Sequence, residues 1–150
     1  MADLTWTRTA RMGDLHIQFT GTNQGDEVIR QQWKNTYRLS LGGNYRYSDN
    51  LLLRAGVAYD QTPVRSAELT HPALPDADRY QLSFGGNYKL DAHSSVDFAY
   101  SYLGFKKART NYHNDCEPFP SASCTGNGET LRGEYKTSLQ MLGAAYNYRF

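Results

Sequence analysis

The sequence predicts an all-β protein, an antiparallel section of a transmembrane β-barrel. Three observations carry that prediction. The first is the tail Leu142-Gly-Ala-Ala-Tyr-Asn-Tyr-Arg-Phe150. Successive side chains of a strand point to opposite sides, so Leu142, Ala144, Tyr146, Tyr148 and Phe150 share one face. Gly143, Ala145, Asn147 and Arg149 share the other. An apolar, aromatic face opposite a small, polar one suits a wall between lipid and a wet lumen. The second observation is an internal repeat. Tyr37-Arg-Leu-Ser-Leu-Gly-Gly-Asn-Tyr-Arg-Tyr47 returns almost letter for letter as Tyr80-Gln-Leu-Ser-Phe-Gly-Gly-Asn-Tyr-Lys-Leu90. Its alternation has period two, which excludes a helix. The third is scale. Ten alternating residues extend about 34 Å and, at a tilt of about 40°, cover about 25 Å, the height of a barrel's lipid-facing band.

Composition agrees. No apolar run approaches the length of a transmembrane helix. A mean hydropathy of -0.69 fits strands of which only one face meets lipid. Twelve Tyr against two Trp and six Phe suit girdles where the ring sits in lipid and the hydroxyl in water. The net charge of +1 with scattered charges does not point to nucleic acid. The chain opens on Met1-Ala2-Asp3 without the basic and apolar signature of a signal peptide. An outer-membrane protein needs one, so residues 1–150 are expected to be the C-terminal piece of a longer protein.

Six strands follow in order. The first runs from Leu4 to Phe19, with its apolar parity switching between Arg8 and Asp14. That switch implies a β-bulge or a break near Met12-Gly13. The second is Tyr37 to Tyr47, and the turn Ser48-Asp49-Asn50 leads to the third, Leu51 to Tyr59. The fourth is Tyr80 to Leu90, then the turn Asp91-Ala92-His93. The fifth is Ser95 to Phe105, with Val96, Phe98, Tyr100 and Tyr102 on one face. The sixth is Thr137 to Phe150. Long connections at Thr20 to Thr36, Gln61 to Arg79 and Lys106 to Lys136 alternate with the tight turns. In bacterial barrels the short turns are periplasmic, which puts Phe150 at the periplasmic rim. An open six-stranded sheet leaves two unpaired edges, which lipid does not tolerate. Missing N-terminal strands, or assembly of several chains, must therefore complete the wall.

Other residues bear on chemistry. Arg38, Arg46, Arg54, Lys89 and Arg149 face inward against Asp60 and Asp97. They read as a lumenal ladder of ion pairs and water contacts rather than a ligand site. Leu103, Phe105, Leu139 and Met141 break the polar-inside rule near the long-loop end. They read as an apolar ligand lining, or as packing against a plug or folded-in loop. Cys116 and Cys124, in the longest loop, suggest a disulfide. A metal pair with His113 lacks further ligands, so no metal site is expected. The mid-strand Gly-Gly pairs read as allowing curvature or close wall packing. No Ser-centred motif with a partnered His and acid stands out among His16, His71, His93 and His113, so no enzyme is expected and no cofactor is implied.

Several local sequences resemble a known family. Asn50-Leu-Leu-Leu-Arg-Ala-Gly-Val-Ala-Tyr-Asp-Gln-Thr-Pro-Val64, Pro75-Asp-Ala-Asp-Arg79, Trp6-Thr7, Phe19, Trp33 ahead of Tyr-Arg-Leu-Ser-Leu-Gly, and the terminal Tyr-Asn-Tyr-Arg-Phe look like the FadL–TodX class of outer-membrane transporters. The resemblance covers nearly all 150 residues. It implies the last six strands of a fourteen-stranded barrel, and passive uptake of long-chain fatty acids or aromatic hydrocarbons. It also implies an N-terminal hatch and a kinked early strand that opens a lateral exit, neither of which lies in these residues. Through the same resemblance Arg30 and Lys34, near Trp33, become candidates for contact with a ligand carboxylate. The expected partners are a hydrophobic small molecule, outer-membrane lipid and lipopolysaccharide, and the N-terminal part of the barrel. The rival readings are a non-specific porin or structural barrel piece, and a barrel enzyme such as a lipase.

Overall fold

The computed structural model describes residues 1–21, 27–29, 31–113 and 130–150. Among the described residues ten strands form in chain order: β1 (Ala2–Thr7), β2 (Leu15–Ile17), β3 (Glu27–Ile29), β4 (Thr36–Arg46), β5 (Leu51–Asp60), β6 (Arg79–Lys89), β7 (Ser94–Phe105), β8 (Ala108–His113), β9 (Thr130–Tyr135) and β10 (Ser138–Tyr148). One sheet of six, ordered β1-β4-β5-β6-β7-β10, is the body of the molecule. Every neighbouring pair in it is antiparallel. The repeated segments are β4 and β6, which flank β5 and run the same way. Gly42 of β4 lies opposite Gly56, whereas its counterpart Gly85 of β6 lies opposite Arg54. That two-residue stagger is the shear of a tilted, curving wall.

Register carries the alternation from strand to strand without a slip. Leu4 pairs with Leu39, Leu39 with Tyr59, Tyr59 with Tyr80, and Tyr80 with Gly104. One face therefore shows continuous Leu, Val, Tyr and Phe. Asp3, Arg38, Arg46, Arg54, Asp60, Arg79, Lys89 and Asp97 are the charged residues of these six strands, and all lie on the other face. A lysine or arginine at mid-depth on a lipid face costs about 2–4 kcal/mol, so this segregation is what a bilayer selects. Two polar pairs lie on the apolar face: Tyr100 donates to Gln140 Oε1 at 3.2 Å, and Tyr146 to Ser94 Oγ at 3.1 Å.

No large side chain is fully buried among the described residues. Tyr148, Leu82 and Phe98 are 53%, 40% and 47% exposed, so the apolar face does not fold into a compact interior. Its greasy side is a surface, which a membrane covers and water does not.

Two elements differ from the sequence expectation. The first strand does not continue to Phe19. It ends at Thr7, turns through a short 3-10 segment at Thr9–Arg11, and leaves the sheet. The parity switch marks a break, and Leu15–Ile17 pairs instead with Glu27–Ile29 as a separate ribbon. Ala10 N–H donates to Asn35 Oδ1 at 3.2 Å, tying the departing chain to the approach of β4. The Lys106 to Lys136 connection, in turn, contains the β8–β9 hairpin. At the opposite end the turns are tight. Asp91 accepts N–H bonds from His93 (2.7 Å) and Ser94 (2.8 Å). These bonds hold its carboxyl below the usual range, the His93 bond contributing most.

Candidate functional site: the inner wall and its rim

Four of the expected site residues come together on the polar-side face near the long-loop end. Leu103 of β7 sits directly opposite Leu139 of β10, and Met141 opposite Ser101. Phe105 is the next inward position beyond Leu103. Leu139 and Met141 are 49% and 43% exposed, so they form an apolar patch on the open wall. The neighbouring strand is polar: Gln81 Nε2 donates to Ser101 Oγ at 2.8 Å and to Ser83 Oγ at 3.2 Å.

Trp33 lies elsewhere. It lines a cleft of about 650 Å³ with Thr5, Thr7, Arg38, Asp60, Gln61, Pro63, Asp76 and Arg79, a size that suits a small ligand. Its Nε1 is shut off from solvent and has no partner among the described residues. Lys34 does not line this cleft. Its backbone N–H donates to Pro63 O at 2.9 Å and its carbonyl accepts from Thr9 Oγ1. Arg30, Cys116 and Cys124 lie outside the described residues.

The lumenal ladder forms with other partners than expected. Asp60 is claimed by Arg79, whose Nε (3.0 Å) and Nη2 (2.8 Å) both donate to its Oδ2. Arg38, the register partner on the other side of Asp60, makes no ion pair among the described residues, and neither do Arg46, Arg54, Lys89 and Arg149. Asp97 is held by two amides, Asn87 Nδ2 at 3.0 Å and Asn147 Nδ2 at 2.6 Å. Charge-assisted hydrogen bonds from neutral donors satisfy that carboxylate without a cation.

Arg79 is the residue that sequence reasoning passed over. Its guanidinium carbon stands 5.9 Å from the Phe105 ring centre, so it borders the Trp33 cleft on one side and the apolar patch on the other. Next to it a tight network fixes the rim. Asp78 accepts from Thr62 N–H (3.0 Å), Tyr59 OH (2.7 Å) and Lys106 Nζ (3.0 Å). Burial pushes the Asp78 carboxyl up, but the bonds from Thr62, Tyr59 and Lys106 together outweigh it, and the net shift is downward. Asp76 accepts from Thr62 Oγ1 at 2.9 Å and lies 3.5 Å from Arg79 Nη1. The signal was present in the Pro75-Asp-Ala-Asp-Arg79 motif, which showed the residues but not their partners.

Among the described residues the arrangement has no feature of an acid–base or nucleophilic centre. It is a wall: lipid-facing on one side, with an apolar patch, a polar cleft and a pinned rim on the other. All of residues 1–150 match the family described as outer membrane protein transport protein (OMPP1/FadL/TodX). An outer membrane protein of Neisseria meningitidis serogroup B is 31% identical over 99% of this chain and 32% of its own length. The long-chain fatty acid transport protein of Escherichia coli K12 is 35% identical over 63% of this chain and 21% of its own length. The crystal structure of a Pseudomonas aeruginosa FadL homologue superposes with a TM-score of 0.80 at 32% identity, covering 98% of this chain and 31% of that one. The chain thus spans about a third of the full-coverage relatives it matches. With an uncharged lipid face, an antiparallel wall and a match along its whole length, the chain belongs to the FadL/TodX family of bacterial outer-membrane transport proteins.

Proposed function

We propose that this chain is the last six strands of a fourteen-stranded barrel that takes up hydrophobic compounds passively, long-chain fatty acids or aromatic hydrocarbons being the class. One observation carries the reading: Leu103, Phe105, Leu139 and Met141 make an apolar patch on a face whose other residues, Leu52 apart, are polar or small. A wet lumen has no use for such a patch, whereas a greasy ligand does. Arg79 at its border and Arg38 in the adjoining cleft supply donors for a carboxylate at the ligand's end, with the Trp33 ring as part of the cleft wall. Arg30 and Lys34 join this set as candidates from the neighbouring segment. The long-loop end faces outward and the tight turns face the periplasm, in keeping with the general rule for these barrels. Ligand enters among the loops, rests against the patch and leaves sideways into the membrane. The N-terminal part of the polypeptide supplies the remaining wall.

A second reading has support of its own. The lower wall is lined by small and polar groups, Gly143, Ala145, Asn147, Asp97 and Asn87, which also suits an aqueous channel. One experiment separates the two. In the complete protein, Leu139→Asp should weaken binding of a long-chain fatty acid about tenfold or more. That is the loss expected from about 1.5–3 kcal/mol of apolar contact. Conductance of small hydrophilic solutes should stay negligible. Unchanged fatty acid binding together with open conductance would make the protein a porin.

A further inference from the structure

The β8–β9 hairpin has two unlike faces. Ala108 and Thr110 are buried, because this side packs on the 61–78 connection. Thr110 Oγ1 donates to Thr70 O at 2.7 Å, Tyr135 OH to Pro72 O at 3.2 Å, and the Tyr112 ring meets His71 edge-on at 4.9 Å. The alternate positions, Lys107, Arg109, Arg132, Glu134 and Lys136, are exposed. Arg109 stands opposite Glu134, and Arg132 opposite Asn111. Lys107 and Lys136 lie one step below the Ala108–Tyr135 pair. Four cations thus share a face on whose strands Glu134 is the one carboxylate, a second, Glu68 of the packed connection, reaching only Asn111 at the upper end, in a chain whose total net charge is only +1.

The Glu134 carboxylate is already committed twice. Glu134 Oε2 is 3.1 Å from Lys107 Nζ and Oε1 is 3.1 Å from Arg109 Nε. Arg132 and Lys136 make no ion pair among the described residues. Same-face residues repeat about every 6.6 Å along a strand, so the face rises about 13 Å from Lys107 to Asn111. It begins where the sheet ends. Phe105 N–H still bonds Thr137 O at 3.2 Å, and Lys106 stands 5.4 Å from the Tyr59 ring on the lipid-facing side. At the opposite end of the wall the tight turns, not the strands, carry the other sign. Its turns carry Asp49 and Asp91, while Arg46 and Lys89 of the adjacent strands point to the lumen.

We propose that the basic face of the β8–β9 hairpin (Lys107, Arg109, Arg132 and Lys136) binds the phosphates of the outer-leaflet glycolipid at the membrane surface. A phosphate carries up to two negative charges and several acceptor oxygens, so a multiply phosphorylated headgroup can engage cations on successive rungs. A single ligand carboxylate, with one charge and two oxygens, reaches at most a neighbouring pair of them, as Glu134 does with Lys107 and Arg109. Basic residues within a Debye length of an anionic surface are each attracted to it. The inference rests on the proposed outward orientation of the long loops, and not on which compound the barrel carries.

The test uses the complete protein purified from outer membranes in mild detergent. Bisphosphorylated lipid A, its dephosphorylated form and inorganic phosphate are titrated separately. The parent should bind the bisphosphorylated lipid in a salt-sensitive manner and discriminate strongly against the dephosphorylated one. Replacing Lys107, Arg109, Arg132 and Lys136 together by Gln should weaken binding by about tenfold or more, while the heat-modifiable gel mobility of a folded barrel is kept. Glu134→Gln, which frees Lys107 and Arg109, should tighten it, and fatty acid uptake should be unchanged in both variants. Equal binding of the dephosphorylated lipid, full competition by inorganic phosphate, or an unaltered quadruple variant would each overturn the proposal. So would uptake that falls while lipid binding holds, which would assign the face to ligand capture. A cysteine placed at Leu74 and unreachable from outside intact cells would overturn the orientation and the inference with it. A parent that binds the lipid as described but carries no hydrophobic ligand would refute the transport reading alone.

Discussion

At the scale of single residues, the rim is held by Asp78. Three donors converge on its carboxylate from Thr62, Tyr59 and Lys106, which lie on two separate stretches of chain, the end of β5 and the end of β7. Lys106 N–H also returns to Asp78 O at 2.8 Å, so the start of β6 and the end of β7 are tied twice. Asp78→Asn keeps the shape but removes the charge. It should cost about 1–3 kcal/mol, the range for a charge-assisted bond. The pH dependence has a definite sign. The folded-state pKa of Asp78 lies below its ordinary value. Its contribution is therefore complete above the unfolded carboxylate pKa of about 3.9 and disappears as pH falls through the folded value. Melting of the heat-modifiable form should show parent and variant separated at pH 7 and converging only below about pH 4. A gap that persists at pH 2 would mean that the charge is not what stabilises the rim. The sequence showed Asp76, Asp78 and Arg79 as a motif. It could not show that Tyr59 and Lys106 complete it, because those contacts depend on the register of three strands.

Elements were legible where alternation was long. The expected Tyr37 to Tyr47, Leu51 to Tyr59, Tyr80 to Leu90 and Ser95 to Phe105 agree with β4 to β7 within a residue or two at their ends. The β8 and β9 strands, six residues each, are too short for periodicity to stand out from loop sequence. The parity switch after Arg8 was visible, but its consequence was not, since a bulge and a departure from the sheet look alike in one dimension. The mid-strand glycines divide in a way the sequence could not foretell. On the lipid face the Phe98 ring lies over Gly86 and the Tyr80 ring over Gly104, each across a strand pair. An aromatic covering a cross-strand glycine fills the gap left by the missing side chain. A methyl at Gly86 would stand 2.7 Å from Leu52 O and 2.8 Å from Phe98 Cζ, so both backbone and ring must move. At Gly143 a methyl would meet nothing within 4 Å. Gly86→Ala should therefore destabilise the barrel by about 1–3 kcal/mol, as overpacking does, while Gly143→Ala should stay within about 0.5 kcal/mol. Thermal midpoints of the folded band measure both, and equal shifts would discard the packing explanation.

For the whole molecule the decisive feature is its two edges. β1 meets β4 only from Thr36 to Leu41, although β4 continues to Arg46. Met1 N bonds Gly42 O at 3.0 Å, and beyond that point the β4 edge has no described partner. The far edge of β10 has no partner among the described residues along all eleven of its own. Each backbone group left unsatisfied in hydrocarbon costs several kcal/mol, so a wall of this shape cannot rest in a bilayer with both edges bare. Completion by further strands of the same polypeptide makes a specific claim about exchange. In the complete protein, the amides of β10 that point away from β7 should be as protected from hydrogen exchange as those that point toward it. In the 150-residue chain alone, placed in lipid vesicles, those outward amides should exchange far faster, and the heat-modifiable band should be missing. If the chain alone protects both sets of amides, copies of it have paired edge to edge, and the barrel is an assembly of several chains. If the complete protein leaves the outward β10 amides unprotected, that edge is open in the native state and the closed-barrel reading fails.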